Sequence, residues 1–94
     1  VRINIKTADM ALYPNFPNPF NAETTFRVSL PQAAKMKLSV YDLAGREAAV
    51  IFRGRKEAGV YEFTWDGSGM ASGVYVAGLK VGGQVKTRKV VLQK

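Results

Sequence analysis

The sequence predicts an all-β fold, an antiparallel β-sandwich of about seven strands joined by tight turns. Three observations carry that prediction. Apolar residues recur at every second position, turn-forming residues interrupt the apolar runs at short intervals, and no segment sustains a helical stripe. Short strands at intervals of roughly 8 to 12 residues suit a sandwich or a small barrel, and the sandwich is the expected member of that pair.

Taken in order, Ile3 and Ile5 alternate with Arg2, Asn4 and Lys6, which gives a first candidate strand at 1–6. A polar, proline-rich connector follows at 7–22. Residues 1–10 are therefore read as a linker or a first edge strand, and 11–94 as the sandwich. Phe26, Val28 and Leu30 alternate with Thr25, Arg27 and Ser29 in a strand at 24–30. Met36, Leu38 and Val40 alternate with Lys35, Lys37 and Ser39 at 35–42, and Tyr61, Phe63 and Trp65 with Val60, Glu62 and Thr64 at 59–65. The runs at 47–53 and 73–81 are more continuously apolar, as in strands covered on both faces. A last strand is expected at 84–92.

Turn chemistry separates these runs. Asp42-Leu43-Ala44-Gly45, Glu57-Ala58-Gly59 and Asp66-Gly67 each pair an acid able to accept backbone N–H bonds with a following glycine. Gly82-Gly83 predicts a tight hairpin, with a loop of two or three residues and the register left open. Pro14, Pro17 and Pro19 fix φ and bias Tyr13, Phe16 and Asn18 toward extended geometry, so the connector is expected to be a stiff lead-in. Tyr13, Phe16 and Phe20 would then pack onto the sandwich. The alternative use of such a segment is as a docking peptide for an aromatic groove.

Composition narrows the chemistry. The 94 residues contain no histidine and no cysteine, which removes imidazole bases, thiol nucleophiles, disulfides and the ordinary zinc sites. No cofactor or metal is expected. The seven acids, Asp9, Glu23, Asp42, Glu47, Glu57, Glu62 and Asp66, show no pattern that demands a catalytic pair. Asp42 and Asp66 read as turn residues before they read as calcium ligands. Ser29, Ser39, Ser68 and Ser72 have no histidine partner. Catalysis is not expected.

Fourteen Lys and Arg against seven Asp and Glu give a net charge of +7. That balance favours polyanions such as nucleic acid, acidic polysaccharide or a lipopolysaccharide surface, or simply keeps a small domain soluble. The cations fall into two clusters along the chain, Arg53, Arg55 and Lys56, then Lys80, Lys86, Arg88, Lys89 and Lys94. Aromatics are not interleaved with them as an RNA-reading sheet requires, so no nucleic acid partner is expected. Tyr41, Tyr61, Trp65 and Tyr75 could form a sugar-binding face, but the spacing of Tyr61, Phe63 and Trp65 reads first as a core stripe. The N-terminal residues show no basic region followed by an apolar core, so an exported protein would carry this segment within a longer precursor.

Five motifs, in order, resemble a known family. YPNFPNPFNAETTFRVSLP, KLSVYDLAGREAAVI, EAGVYEFTWDG, ASGVYVAGLKVGG and TRKVVLQK are similar to the C-terminal sorting domain of proteins exported by the type IX secretion system, and share the layout of the Ig-like domain of the flagellar hook-capping protein. The resemblance spans 12–94. It departs at Ala22 and Glu23, where the family usually has proline and threonine, and at a shorter loop 66–73.

The resemblance implies an Ig-like sandwich that serves as an address. It implies a Bacteroidetes-type secretion machinery that moves a larger cargo through the periplasm and across the outer membrane, and a sortase-like enzyme that attaches it to anionic lipopolysaccharide at the cell surface. The residues it assigns to recognition are Asn18, Pro19, Gly59, Tyr61, Gly73, Tyr75, Lys89 and Lys94. A monomer is expected. The second reading is a carbohydrate-binding or spacer module of a secreted polysaccharide-degrading enzyme, for which Trp65→Ala with the fold intact would be the natural test.

Overall fold

Residues 10–94 are described by a computed structural model, and their alternating side chains divide between two stacked antiparallel sheets. The elements are β1 (Ala11–Leu12), β2 (Glu23–Leu30), β3 (Ala34–Tyr41), β4 (Glu47–Lys56), β5 (Gly59–Asp66), β6 (Gly73–Val81) and β7 (Gln84–Leu92). One sheet has the order β1-β2-β5 and the other β4-β3-β6-β7. This is the all-β sandwich of seven strands that the alternation predicts.

The period of two places Phe26, Val28 and Leu30 of β2 against Met36, Leu38 and Val40 of β3 and against Ala77 and Leu79 of β6, all buried. Each fully buried large side chain of this kind contributes roughly 1.5–3 kcal/mol relative to exposure. The intervening Arg27, Glu62 and Thr64 stay exposed.

Strand boundaries agree closely with the sequence except at β4, which runs three residues further than 47–53, to Lys56. The register slips beside it, between Leu38/Ser39 and between Val40/Tyr41. A bulge places two residues of one strand opposite one of its partner and so breaks the strict in-out alternation. That is why 48–52 reads as a continuous apolar run although Val50 is exposed. The glycine hairpin has a two-residue loop, since Val81 pairs with Gln84. Gly82, at φ +59°, supplies the positive φ that the first position of such a loop requires.

The candidate strand at 1–6 lies outside the described residues. Among the described residues the seventh strand is the short β1, within the segment expected to be a stiff, extended lead-in. Ala11 pairs with Ser29 and Leu12 with Val28. The segment continues along β2, with the Tyr13 amide donating to the Arg27 carbonyl at 3.0 Å and Phe16 and Thr25 exchanging bonds at 3.0 and 3.1 Å. It then crosses to the other sheet, where Phe20 bridges Leu92 in parallel. The peptide bonds preceding Pro17 and Pro19 are cis.

Of the three aromatics expected to pin this segment, only Phe20 is buried, and Phe16 is 80% exposed. Backbone bonds to β2 hold residues 13–16, so their rings are not needed as anchors. The buried polar anchor is Asn15, whose Nδ2 donates to Thr24 Oγ1 at 2.9 Å while the Thr24 hydroxyl donates to the Pro17 carbonyl at 2.8 Å. On the opposite side of the sandwich Phe52 of β4 and Phe63 of β5 meet at 5.2 Å between centroids, and the Lys56 ammonium sits 5.1 Å from the Phe52 ring and 5.0 Å from the Tyr61 ring.

Candidate functional site

The lead-in and the last strand build one pole of the sandwich together. Asn18 uses its side-chain amide as if it were a peptide group. Its Nδ2 donates to the Lys89 carbonyl at 3.2 Å, and its Oδ1 accepts from the Val91 amide at 2.9 Å. Two residues on, the Phe20 amide donates to the Val91 carbonyl and the Gln93 amide to the Phe20 carbonyl, both at 2.9 Å. Asn18, Pro19 and Phe20 thus form a strap over the outer edge of β7. An uncovered edge would leave those backbone groups open to pairing with another chain.

Beneath the strap lies an aromatic cluster. Phe20 and Trp65 stand 5.6 Å apart between centroids, and Trp65 meets Tyr75 edge-on at 6.4 Å. Gly67 closes over it, with the position a Cβ would take 3.4 Å from both the Phe20 and Trp65 rings, at van der Waals contact. Of the aromatics weighed as a sugar platform, Trp65 and Tyr75 are each 8% exposed and belong to the core, while Tyr41 and Tyr61 are half-buried.

The two Gly-Val-Tyr sequences adopt the same local geometry. Gly59 and Gly73 have φ of +151° and +157°, at the margin of the region that disfavours other residues. Two positions on, Tyr61 donates its hydroxyl to the Glu57 carbonyl and Tyr75 to the Ala71 carbonyl, each at 2.6 Å. A tyrosine tied back to the backbone upstream is the device Ig-like sandwiches use to fix a corner. The hydrogen bond, worth about 1 kcal/mol, secures the turn that feeds each strand.

The loop after β5 completes the pole. Asp66 Oδ1 accepts from the Ser68 amide at 2.9 Å, and Lys94 bonds the loop twice, through its amide to Ser72 Oγ at 3.0 Å and through Nζ to the Ser68 carbonyl at 2.6 Å. Asp42 caps its own turn in the same manner, accepting from the amides of Ala44 and Arg46 at 2.9 and 3.0 Å. Both acids are turn residues, as their sequence context predicts.

Backbone N–H donors hold both carboxyls below the ordinary value of 3.8, with Arg46 assisting at Asp42 and Lys94 at Asp66. Because the folded state favours the ionised form, its contribution is fully present above pH 3.8 and is lost as pH falls through the depressed value. An Asp42→Asn/Asp66→Asn variant should therefore lose less stability than the parent on acidification below about pH 4, read as urea midpoints across an acid series. Parallel acid profiles would contradict this.

Of the residues that the resemblance assigns to recognition, the structure gathers Asn18, Pro19, Gly73, Tyr75, Lys89 and Lys94 at this pole. Gly73 pairs with Leu92 and Tyr75 with Val90 across the β6–β7 ladder. Gly59 and Tyr61 lie at the opposite pole, pairing with Leu30 and Val28. Sequence reasoning named Phe20 as an anchor of this segment but missed Asn15 and Thr24, the buried polar pair that seats it. The available signal was an asparagine on each side of Pro17 within a segment that must cross between sheets.

These features, two antiparallel sheets with tyrosine-fixed corners and a strapped final strand, define an Ig-like β-sandwich. The sequence model of the FlgD Ig-like domain matches residues 17–81, and the chain belongs to that family. Among solved structures, the crystal structure of dimeric latent PorU from Porphyromonas gingivalis superposes with a TM-score of 0.72 at 19% identity, covering 88% of this chain and 9% of that one. At that identity the likeness concerns the fold, and the module corresponds to a small part of a much longer protein. Comparison with curated proteins returned no match.

Proposed function

We propose that the module is a non-catalytic sorting domain, which directs a larger secreted protein across the outer membrane and leads to its attachment at the cell surface. The supporting observation is the pole itself. Motif residues from the two ends of the module, Asn18 to Phe20 and Lys89 to Lys94, are held together there by direct hydrogen bonds. A recognition surface assembled from both ends exists only in the folded module, so a machine reading it would select modules that have folded.

On this reading the partners are the secretion machinery and a sortase-like enzyme of the outer membrane, and the module acts as a monomer. The acids Asp42 and Asp66 serve turns, and Glu62 and Glu47 pair with Arg27 and Lys37, which accords with a role in recognition rather than in chemistry.

The test is a fusion of the whole chain to the C-terminus of a periplasmic fluorescent reporter, expressed in a host with a working type IX system and in its secretion-null mutant. Reporter on the surface or in the medium of the working host alone is the expected outcome. Reporter retained in the periplasm of both, with the module folded, would overturn the assignment.

A further inference from the structure

The strand register gathers cations that the sequence keeps apart. On the outer face of the four-stranded sheet Lys35 stands opposite Arg55, and Lys37 stands opposite Arg53 on one side and Lys80 on the other. Strands lie about 4.8 Å apart and same-face residues about 6.8 Å apart along a strand, so the charges form a dense grid. Like charges directly opposite one another destabilise a sheet. Lys37 pairs with Glu47 at 2.6 Å, and among the described residues Lys35, Arg53, Arg55 and Lys80 form no ion pair. The grid surrounds a shallow depression of about 440 Å³ that also includes Gly54 and Gly82.

We propose that this face binds an anionic polysaccharide, a glycan with a carboxylate or phosphate on successive units. The grid offers repeated cations at the spacing of a repeating polymer, and the depression gives a sugar unit somewhere to sit. A protein partner is disfavoured because its interfaces deplete lysine and rely on aromatic anchors, and no aromatic lines this depression. The same lack removes the stacking that single-stranded nucleic acid requires. The face lies away from the strapped pole and uses none of the residues assigned to recognition.

Affinity electrophoresis of the intact chain through gels containing polygalacturonate or neutral dextran tests it, with phosphatidylglycerol vesicles and oligodeoxythymidylate as competitors. Retardation by polygalacturonate alone, weakening with salt, is expected. Lys35→Gln/Arg53→Gln/Lys80→Gln keeps the Lys37–Glu47 pair and should weaken binding about tenfold or more, with a melting temperature equal to or above the parent's. Arg27→Gln/Arg46→Gln/Lys86→Gln removes the same charge elsewhere and should bind within about twofold of the parent. Equal losses in the two triples, retardation equal to that in dextran, or preferential capture by vesicles or the oligonucleotide would overturn the proposal. The single substitutions Lys35→Gln and Lys80→Gln, at exposed positions, should each weaken binding with the fold unchanged, and unaltered binding in both would also overturn it.

Discussion

Phe20→Ala should destabilise the module by about 3–5 kcal/mol, the usual range for truncating a buried phenylalanine. Small domains carry roughly 5–15 kcal/mol in total, so this one change removes a large share and should bring the urea midpoint close to collapse. The size follows from its position. Phe20 is 2% exposed and packs at a tilt against Trp65 directly beneath the backbone bonds to Val91 and Gln93, so its loss opens a void where the strap is seated.

Asn18→Ala separates the strap from the ring. It removes two exposed hydrogen bonds and should cost only about 1 kcal/mol, while the Val91 amide, which donates to Asn18 Oδ1, loses protection from hydrogen exchange. Amides of Leu38 and Leu79 should speed up only by the roughly fivefold that a loss of about 1 kcal/mol in global stability implies, and Val91 by more. If Val91 exchanged equally slowly in both proteins, the strap would not be what protects the edge of β7. In the export assay Asn18→Ala would then ask whether the secretion machinery reads the seated strap or only the folded sandwich.

How much of this was legible in the sequence depends on the range of the interaction involved. The strands of 24–30, 35–42 and 59–65 were readable because alternation is local and one face of each is buried. The turns at Asp42 and Asp66 were readable because an acid accepting an amide two residues on is a short-range arrangement. The slip beside β4 hid the alternation of 48–52, since a bulge is set by the partner strand and not by the bulged residues alone.

The lead-in departs from expectation at Tyr13 and Phe16, which are exposed. Tyr13, Phe16 and Phe20 look alike in sequence, and what separates them is which sheet lies beside each. Phe16 runs along the outside of β2, whereas Phe20 reaches the gap between the sheets. The recognition residues divide for the same reason. Gly59-Val60-Tyr61 and Gly73-Val74-Tyr75 are identical triplets with identical corner geometry, yet antiparallel packing sends them to opposite poles. The basic grid likewise depends on long-range register, which pairs Lys80 of β6 with Lys37 of β3 although β4 and β5 lie between them in the chain.

Trp65→Ala should cost about 3–5 kcal/mol, and for that reason it cannot serve as a clean test of glycan binding. Trp65 is buried between Phe20 and Tyr75, so its removal opens a void at the junction of the strap, β5 and β6. Its effect should not add to that of Phe20→Ala. Aromatic pairs of this geometry contribute about 0.5–1.5 kcal/mol beyond burial, and the double variant should fall short of the sum by roughly that amount. Trp65→Phe keeps a ring in place and should retain most of the stability. It therefore separates the two roles that Trp65→Ala confounds. Because the tryptophan ring has little surface to offer a ligand, Trp65→Phe should leave any glycan binding intact, and affinity electrophoresis beside a melting curve reads both at once. Binding lost from a Trp65→Phe protein that melts as the parent does would return the tryptophan to the ligand surface and favour the carbohydrate-binding reading.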